Sequence, residues 1–258
     1  MEKLILIIGI NGVGKEHIRA CENLGIYYEL FDLDIRNFIG KNYIWNEWGK
    51  HKNIVSLSYC ISIIDDFKKI NPFKYTHIVI AVPDDKHSYY VDLLKDENKE
   101  LKILVEKPPK CDLNKVQIVG YSDFNFNIQE ELCDLVFNVE KVKKYNSNWV
   151  NNIEDDLLGH LYYSYCLYCE KKDIKFQKIK EVIFSDKNKL KIILENNVFL
   201  TVKRQMEDTY LIINGNKKHN DYEKIFTKQM SEFVFNDFTN INLCKKIENE
   251  IERIKEFL

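Results

Sequence analysis

The chain has 258 residues, 45% hydrophobic and 30% charged, with a formal net charge of −2 at pH 7. That length predicts two compact domains. The 38 Lys and Arg set against 40 Asp and Glu leave no basic excess to hold nucleic acid or an anionic membrane. The opening MEKLILIIGI is apolar for too short a stretch to cross a bilayer and carries no small-residue cleavage site, and seven scattered cysteines predict reduced thiols in a cytoplasmic protein.

Leu4 to Ile8 predicts a buried strand that runs directly into Gly9-Ile10-Asn11-Gly12-Val13-Gly14. Ile18, Cys21, Leu24 and a capping Gly25 then mark a helix. Strand, glycine turn and helix together make a phosphate cradle. One glycine makes the turn, another lets helix and strand pack closely, and the helix N-terminus offers N–H groups. Asn11 stands where the usual G-x-G-x-x-G pattern has its middle glycine; Asn tolerates left-handed backbone, and Gly12 beside it allows close approach. The same residues read as a triphosphate-binding loop would need Ser or Thr after Lys15, and Glu16 stands there instead.

Tyr27 to Asp34 predicts the second strand, ending in carboxylates near where a dinucleotide fold places its ribose-binding acid. Asp34 is the preferred candidate and Asp32 the second. Either would accept hydrogen bonds from the ribose hydroxyls of NAD and repel the 2′-phosphate of NADP, while Arg36 nearby offsets that repulsion, so NAD is preferred and NADP stays open. Ile54 to Leu57 predicts a third strand and Ser62 to Ile70 a short helix.

Thr76 to Pro109 predicts strand, helix and strand. His77 to Val82 is a β-branched apolar run stopped by Pro83 and Asp84-Asp85. Tyr90, Val91 and Leu94 recur at helical spacing, and Leu101 to Val105 leads into Glu106-Lys107-Pro108-Pro109. Two polar motifs therefore fall at the carboxyl ends of two parallel strands, where open α/β sheets bind ligands. Beyond, Val116 to Phe126 predicts another strand. Asp156 to Lys171 reads as a helix. Four strands, at 179–184, 190–194, 198–202 and 210–213, predict a largely antiparallel sheet, and helices over 222–236 and 242–257 end the chain. Charges such as Glu248, Glu250, Glu252 and Lys255 are expected on a solvated face. Cys166 and Cys169, a lone C-x-x-C inside an aromatic helix, read as core, since one pair cannot close a zinc site. No metal site is expected.

The glycine turn with His17 three residues after it, Ala81-Val82-Pro83 followed by His87, and Val105-Glu106-Lys107-Pro108 resemble, in order and spacing, the glucose–fructose oxidoreductase, inositol dehydrogenase and MocA (Gfo/Idh/MocA) family. The resemblance implies an α/β chain: a doubly wound parallel sheet of Rossmann type over 1–120, then a smaller α+β domain over 121–258 for substrate and dimer contacts, whose last helices could pack back on the first. It implies a nicotinamide cofactor held by Gly9, Asn11, Gly12, Val13, Gly14, Asp32, Asp34, Arg36, Val82, Pro83, His87, Glu106 and Lys107. Lys107 is the implied active-site lysine, followed by an X-Pro bond that is commonly cis. The family's D-x-x-x-H helix is matched by Asp156 and His160, whose spacing puts both on one helical face. Lys, Asp and His beside a nicotinamide suit oxidation of a secondary alcohol: His takes the hydroxyl proton, Lys stabilises the developing alkoxide and Asp orients His. The implied substrate is a sugar, polyol or sugar derivative and the implied assembly a dimer or higher homo-oligomer; the alternative is a non-catalytic sensor or assembly subunit of the same family. The helix that usually follows the Glu-Lys-Pro strand is expected to be reduced to a turn.

Overall fold

A computed structural model describes residues 3–34, 40–46, 53–120, 131–140, 161, 163–186, 189–205, 210–218 and 221–256. Arg36, Asp156 and His160 lie outside these residues. The chain divides into two compact units, residues 1–120 with 222–241, and residues 121–221 with 242–258.

The first unit is built on a six-stranded sheet in which every pairing is parallel. Its strands are β1 (Ile5–Ile8), β2 (Tyr28–Phe31), β5 (Cys60–Ile64), β6 (His77–Ile80), β7 (Lys102–Val105) and β8 (Ile118–Val119). Across the sheet they run β5-β2-β1-β6-β7-β8. The chain thus builds outward in one direction from β1 to β5, then returns to the other side of β1 with β6, which is the doubly wound order. β1, β2 and β6 are buried at every residue, as expected of strands covered on both faces.

Helix α1 (Gly14–Leu24) follows β1, and α2 (His87–Glu97) joins β6 to β7. A later helix, α4 (Tyr222–Phe235), packs along α1 and buries Ile225, Phe226, Met230, Phe233 and Val234. Between β7 and β8 there is only a single 3₁₀ turn, Leu113–Lys115, so the helix expected to be reduced is a turn.

Two expectations are corrected here. Ile54 to Leu57 is not the third strand of the sheet; Asn53–Ser56 is β4, which pairs antiparallel with β3 (Tyr43–Asn46) in a separate ribbon. The third sheet strand is β5, which takes up the start of the stretch expected to be helical, and Phe67–Lys69 is a single 3₁₀ turn capped by Asp66. Apolar runs of this length do not reveal their partners. As an edge strand, β5 is only partly buried, so its pattern is weaker than that of the strand next to it.

His77, at the start of β6, is buried with its ring edge-on to Phe233, centroids 4.8 Å apart. Burial, aided by the charges of Lys102 and Lys3, pushes its pKa down to about 4 from 6.5. The folded chain therefore keeps the ring neutral where the unfolded chain protonates it. Stability is full above about pH 6.5 and is lost as pH falls towards 4. His77→Phe is expected to flatten that acid limb, measured as the urea midpoint at pH 7, 5.5 and 4.5 against the wild type.

The second unit carries a second six-stranded sheet. Its strands are β9 (Asp134–Glu140), β10 (Ile179–Asp186), β11 (Lys189–Leu194), β12 (Phe199–Gln205), β13 (Tyr210–Ile213) and β14 (Asn216–Lys218). They are ordered β10-β11-β12-β9-β13-β14. All pairings are antiparallel except β12 with β9. In β11, buried Leu190, Ile192 and Leu194 alternate with half-buried residues, the period-2 pattern of a sheet with one face in a core. Lys191 lies over the Phe199 ring, 3.9 Å from its centroid, on the other face. Helix α3 (Tyr163–Lys172) buries Cys166 and Cys169, and the Tyr168 hydroxyl accepts from the Leu132 N–H. The last helix, α5 (Ile241–Glu256), buries Leu243, Cys244 and Ile247. Glu250 is buried too, contrary to the solvated position expected of it, whereas Glu248 is exposed. Among the described residues no helix is long and apolar enough to cross a membrane.

Candidate active site

The carboxyl edge of the parallel sheet gathers the singled-out motifs. The ladders continue past the strands through Gly9 N–H to Phe31 O (2.9 Å), Ala81 N–H to Ile8 O (2.8 Å), Glu106 N–H to Ile80 O (2.9 Å) and Gly120 N–H to Val105 O (2.7 Å). Hence Gly9, Ala81 and Glu106 sit side by side at the end of three neighbouring strands. The switch of direction falls between β1 and β6, and a crevice at such a point is where doubly wound sheets take their ligands.

The glycine turn is built for close contact. Gly9 has φ +88°, and a Cβ there would come within 2.5 Å of Ala81 O; a Cβ on Gly14 would come within 1.9 Å of Gly9 O. Those two glycines let the turn lie on β6 and α1 start against the turn. Gly12, exposed at φ +56°, has open space where its Cβ would be, so there only the backbone conformation favours glycine. No side chain caps the α1 N-terminus. A turn of this shape fits the pyrophosphate of a dinucleotide, because no Cβ stands at Gly12 and the positive end of the α1 dipole lies at the turn; the Gly14, Lys15 and Glu16 N–H groups donate to the carbonyls of Asn11, Gly12 and Val13. Glu16 points elsewhere: it is buried and pairs with Arg19 at 3.0 Å.

Of the two candidate ribose acids, the structure brings Asp32 to the turn. Its carboxylate accepts from the Ile10 N–H at 2.8 Å and from the Asp34 N–H at 2.9 Å. Asp34, preferred from the sequence, lies two residues further out and is exposed. The reason is local: β2 ends at Phe31, one residue before Asp32.

Glu106 and Lys107 occupy the end of β7. The Glu106 carboxylate is buried and meets His17 Nε2 of α1 at 2.7 Å. It also fills the place where a Cβ on Gly120 would stand, 2.6 Å from its carboxyl atoms. Burial alone would push the Glu106 carboxyl up, but the His17 hydrogen bond and the charges of His17 and Lys107 together hold it below its ordinary value. The His17 ring is fully buried and meets Phe226 of α4 edge-on, centroids 5.0 Å apart. This pair, 89 residues apart in sequence, ties the first turns of α1 to the residue before Lys107. The motif spacing pointed to His17 without revealing its partner. Lys107 itself is half-buried, and the Lys107-Pro108 bond is cis.

Val82 and Pro83 follow β6 and lead into α2. His87 is buried, with Nε2 2.9 Å from Val82 O and Nδ1 2.9 Å from Pro108 O. Both nitrogens are taken by main-chain carbonyls, so the ring has no polar atom left for a cofactor. Asp84, on the same segment, forms an ion pair with Lys110 that holds its carboxyl below the usual range. No group of His, Cys, Asp and Glu fit to hold a metal ion occurs among the described residues.

The strand order and a glycine turn at its switch point define a dinucleotide-fold unit, followed by a second, α+β unit. No protein-family model matches the chain, and no curated protein matches it by sequence. Solved structures do match in fold. UDP-N-acetylglucosamine 3-dehydrogenase GnnA from Acidithiobacillus ferrooxidans superposes with a TM-score of 0.63 at 9% identity, over 100% of this chain and 98% of that one. A myo-inositol dehydrogenase from Corynebacterium glutamicum does so with 0.61 at 11% identity, over 100% and 96%. A Gfo/Idh/MocA family oxidoreductase from Vibrio cholerae gives 0.55 at 11%, over 97% and 99%. The chain therefore has the fold of the Gfo/Idh/MocA oxidoreductases along its whole length.

Proposed function

We propose that the chain is a nicotinamide-dependent oxidoreductase, a member of the Gfo/Idh/MocA family, that moves a hydride between its cofactor and a secondary alcohol or ketone of a sugar, polyol or sugar derivative. The observation that carries this reading is the juxtaposition of the glycine turn, Asp32 and the Glu106-Lys107 segment along one edge of a doubly wound sheet. In this reading the backbone of Gly9 to Gly14 and the α1 N-terminus hold the pyrophosphate. Asp32 takes the adenosine ribose, and its charge favours NAD over NADP. The cofactor supplies the hydride chemistry. Lys107 is assigned to the reacting oxygen, whose negative charge its ammonium stabilises as the hydride leaves. Asp156 and His160 keep their proposed part as the proton-transfer pair. The neighbours' names, a UDP-sugar dehydrogenase and an inositol dehydrogenase, support a polyhydroxylated substrate.

A thermal-shift titration with NAD, NADH, NADP, NADPH and ATP tests the reading first, since binding to the native state raises apparent stability. The expected result is a shift with one nicotinamide pair and none with ATP. A shift with ATP alone would overturn it. Asp32→Ala is expected to weaken NADH binding about tenfold or more, the loss of a charge-assisted hydrogen bond, with Asp34→Ala within about twofold. Lys107→Ala and His160→Ala are expected to keep NADH affinity and to lower turnover by a factor on the order of 10². Turnover would be screened with UDP-N-acetylglucosamine and myo-inositol as first substrates. Variants that retained full turnover would remove both residues from the mechanism.

A further inference from the structure

His87 opens α2, and its ring is 1% exposed. One nitrogen reaches five residues back to Val82 O, the other 21 residues ahead to Pro108 O, each at 2.9 Å. Carbonyl oxygens only accept, so the ring must donate wherever it bonds: a neutral ring carries one N–H and bonds one of the two carbonyls, a protonated ring bonds both. The two carbonyls belong to the segments that leave β6 and β7. Val82 follows Ala81, on which Gly9 rests, and Pro108 follows Lys107. A second tie joins the same two segments further out, the ion pair of Asp84 with Lys110, but those side chains are partly exposed and water weakens them. The buried imidazole is the inner tie.

We propose that His87 is a positioning residue for Lys107, holding the lysine's segment in register with the end of β6 and so with the glycine turn. This rests on the role proposed above for Lys107. An aromatic or aliphatic side chain of similar size would fill the same space, so packing alone does not call for histidine there. What an imidazole adds is a ring nitrogen on each of two sides, each 2.9 Å from the carbonyl of a different strand's exit, so that its N–H can hold one segment while the ring abuts the other. The precision matters because a group acting on a reacting oxygen loses most of its effect when it moves by about an ångström.

The test reads Lys107 directly. Native wild type, His87→Phe and His87→Gln are labelled for short times with an isotopically coded amine-reactive reagent, with and without saturating NADH, and each lysine's rate is read by peptide mass spectrometry. His87→Phe keeps a ring and loses both ring nitrogens; it is expected to raise Lys107 labelling about fivefold or more relative to Lys95 and Lys172 in the same digest. His87→Gln, which keeps an amide donor, is expected to restore most of the wild-type rate. Equal Lys107 labelling in all three proteins would overturn the proposal. So would a rise shared equally by Lys86, Lys95 and Lys115, which would make the ring a general stabiliser only. If His87→Phe does not fold, His87→Leu, which also lacks both ring nitrogens, takes its place under the same criterion. In the wild type NADH is expected to slow Lys107 labelling. Failure of that protection counts against the proposed cofactor site and leaves the comparison without NADH, which tests the tie alone, standing.

Discussion

Glu106→Ala is expected to lower the unfolding free energy by about 3–5 kcal/mol, the range for breaking a buried ion pair by removing one partner. The carboxylate is enclosed by His17 at 2.7 Å and by Gly120, and its loss leaves a fully buried imidazole facing a void. Urea denaturation at pH 7 measures the loss. The pH dependence gives a separate check. The folded carboxyl sits below its ordinary value of 4.5, so its contribution is present above that pH and is lost as pH falls through the folded value. The gap between wild type and Glu106→Gln is therefore expected to narrow below about pH 4.5. A gap that stayed constant down to pH 3 would show that the carboxylate's charge contributes nothing to the pair. The double variant His17→Leu/Glu106→Leu should be less destabilised than the sum of the two single leucine variants, since removing both partners leaves no buried charge alone.

Gly9→Ala is the second large effect, expected at about 2–5 kcal/mol. Left-handed backbone adds about 1–2 kcal/mol for a residue with a side chain, and overpacking a close contact adds about 1–3 kcal/mol. The contact is unforgiving because the new methyl would meet main chain, Ala81 O at 2.5 Å, and not the end of a movable side chain. To relieve it, the turn must lift from β6, so NADH affinity should fall together with stability. Gly12→Ala provides the internal control. It has the same sign of φ but open space, so its cost is expected near 1 kcal/mol and its effect on the melting temperature correspondingly small. Equal losses for the two variants would mean that φ alone, and not the seat on β6, explains the glycine at position 9.

Much of the fold was legible because its signals are local. The run Ile5–Ile8 into a glycine turn, the β-branched run at His77–Ile80 stopped by Pro83, and the alternation in Lys189–Leu194 each state a period and a stop within ten or so residues. β9 left a weaker trace. It lies inside its sheet between β12 and β13, yet its stretch was not read as a strand, since the continuous apolar run at 135–137 is only three residues long and a different, alternating pattern follows it. Position 250 was misread for a related reason: a carboxylate in a charged helix reads as solvated until the helix's packing is known.

The sequence by itself determined the elements that carry the site, and the order in which the glycine turn, the Val82-Pro83 stop and the Glu106-Lys107 strand end follow one another. It did so because backbone conformation and strand or helix period depend on near neighbours. The tertiary structure alone decided which strand stands third in the sheet, that Asp32 rather than Asp34 meets the turn, that His17 finds Glu106, and that His87 bonds carbonyls on two strands' exits. Those are choices of partner, made across as many as 89 residues by strand order, and buried polar groups accept them because a hydrogen bond left unmade in the interior costs more than one made there gains.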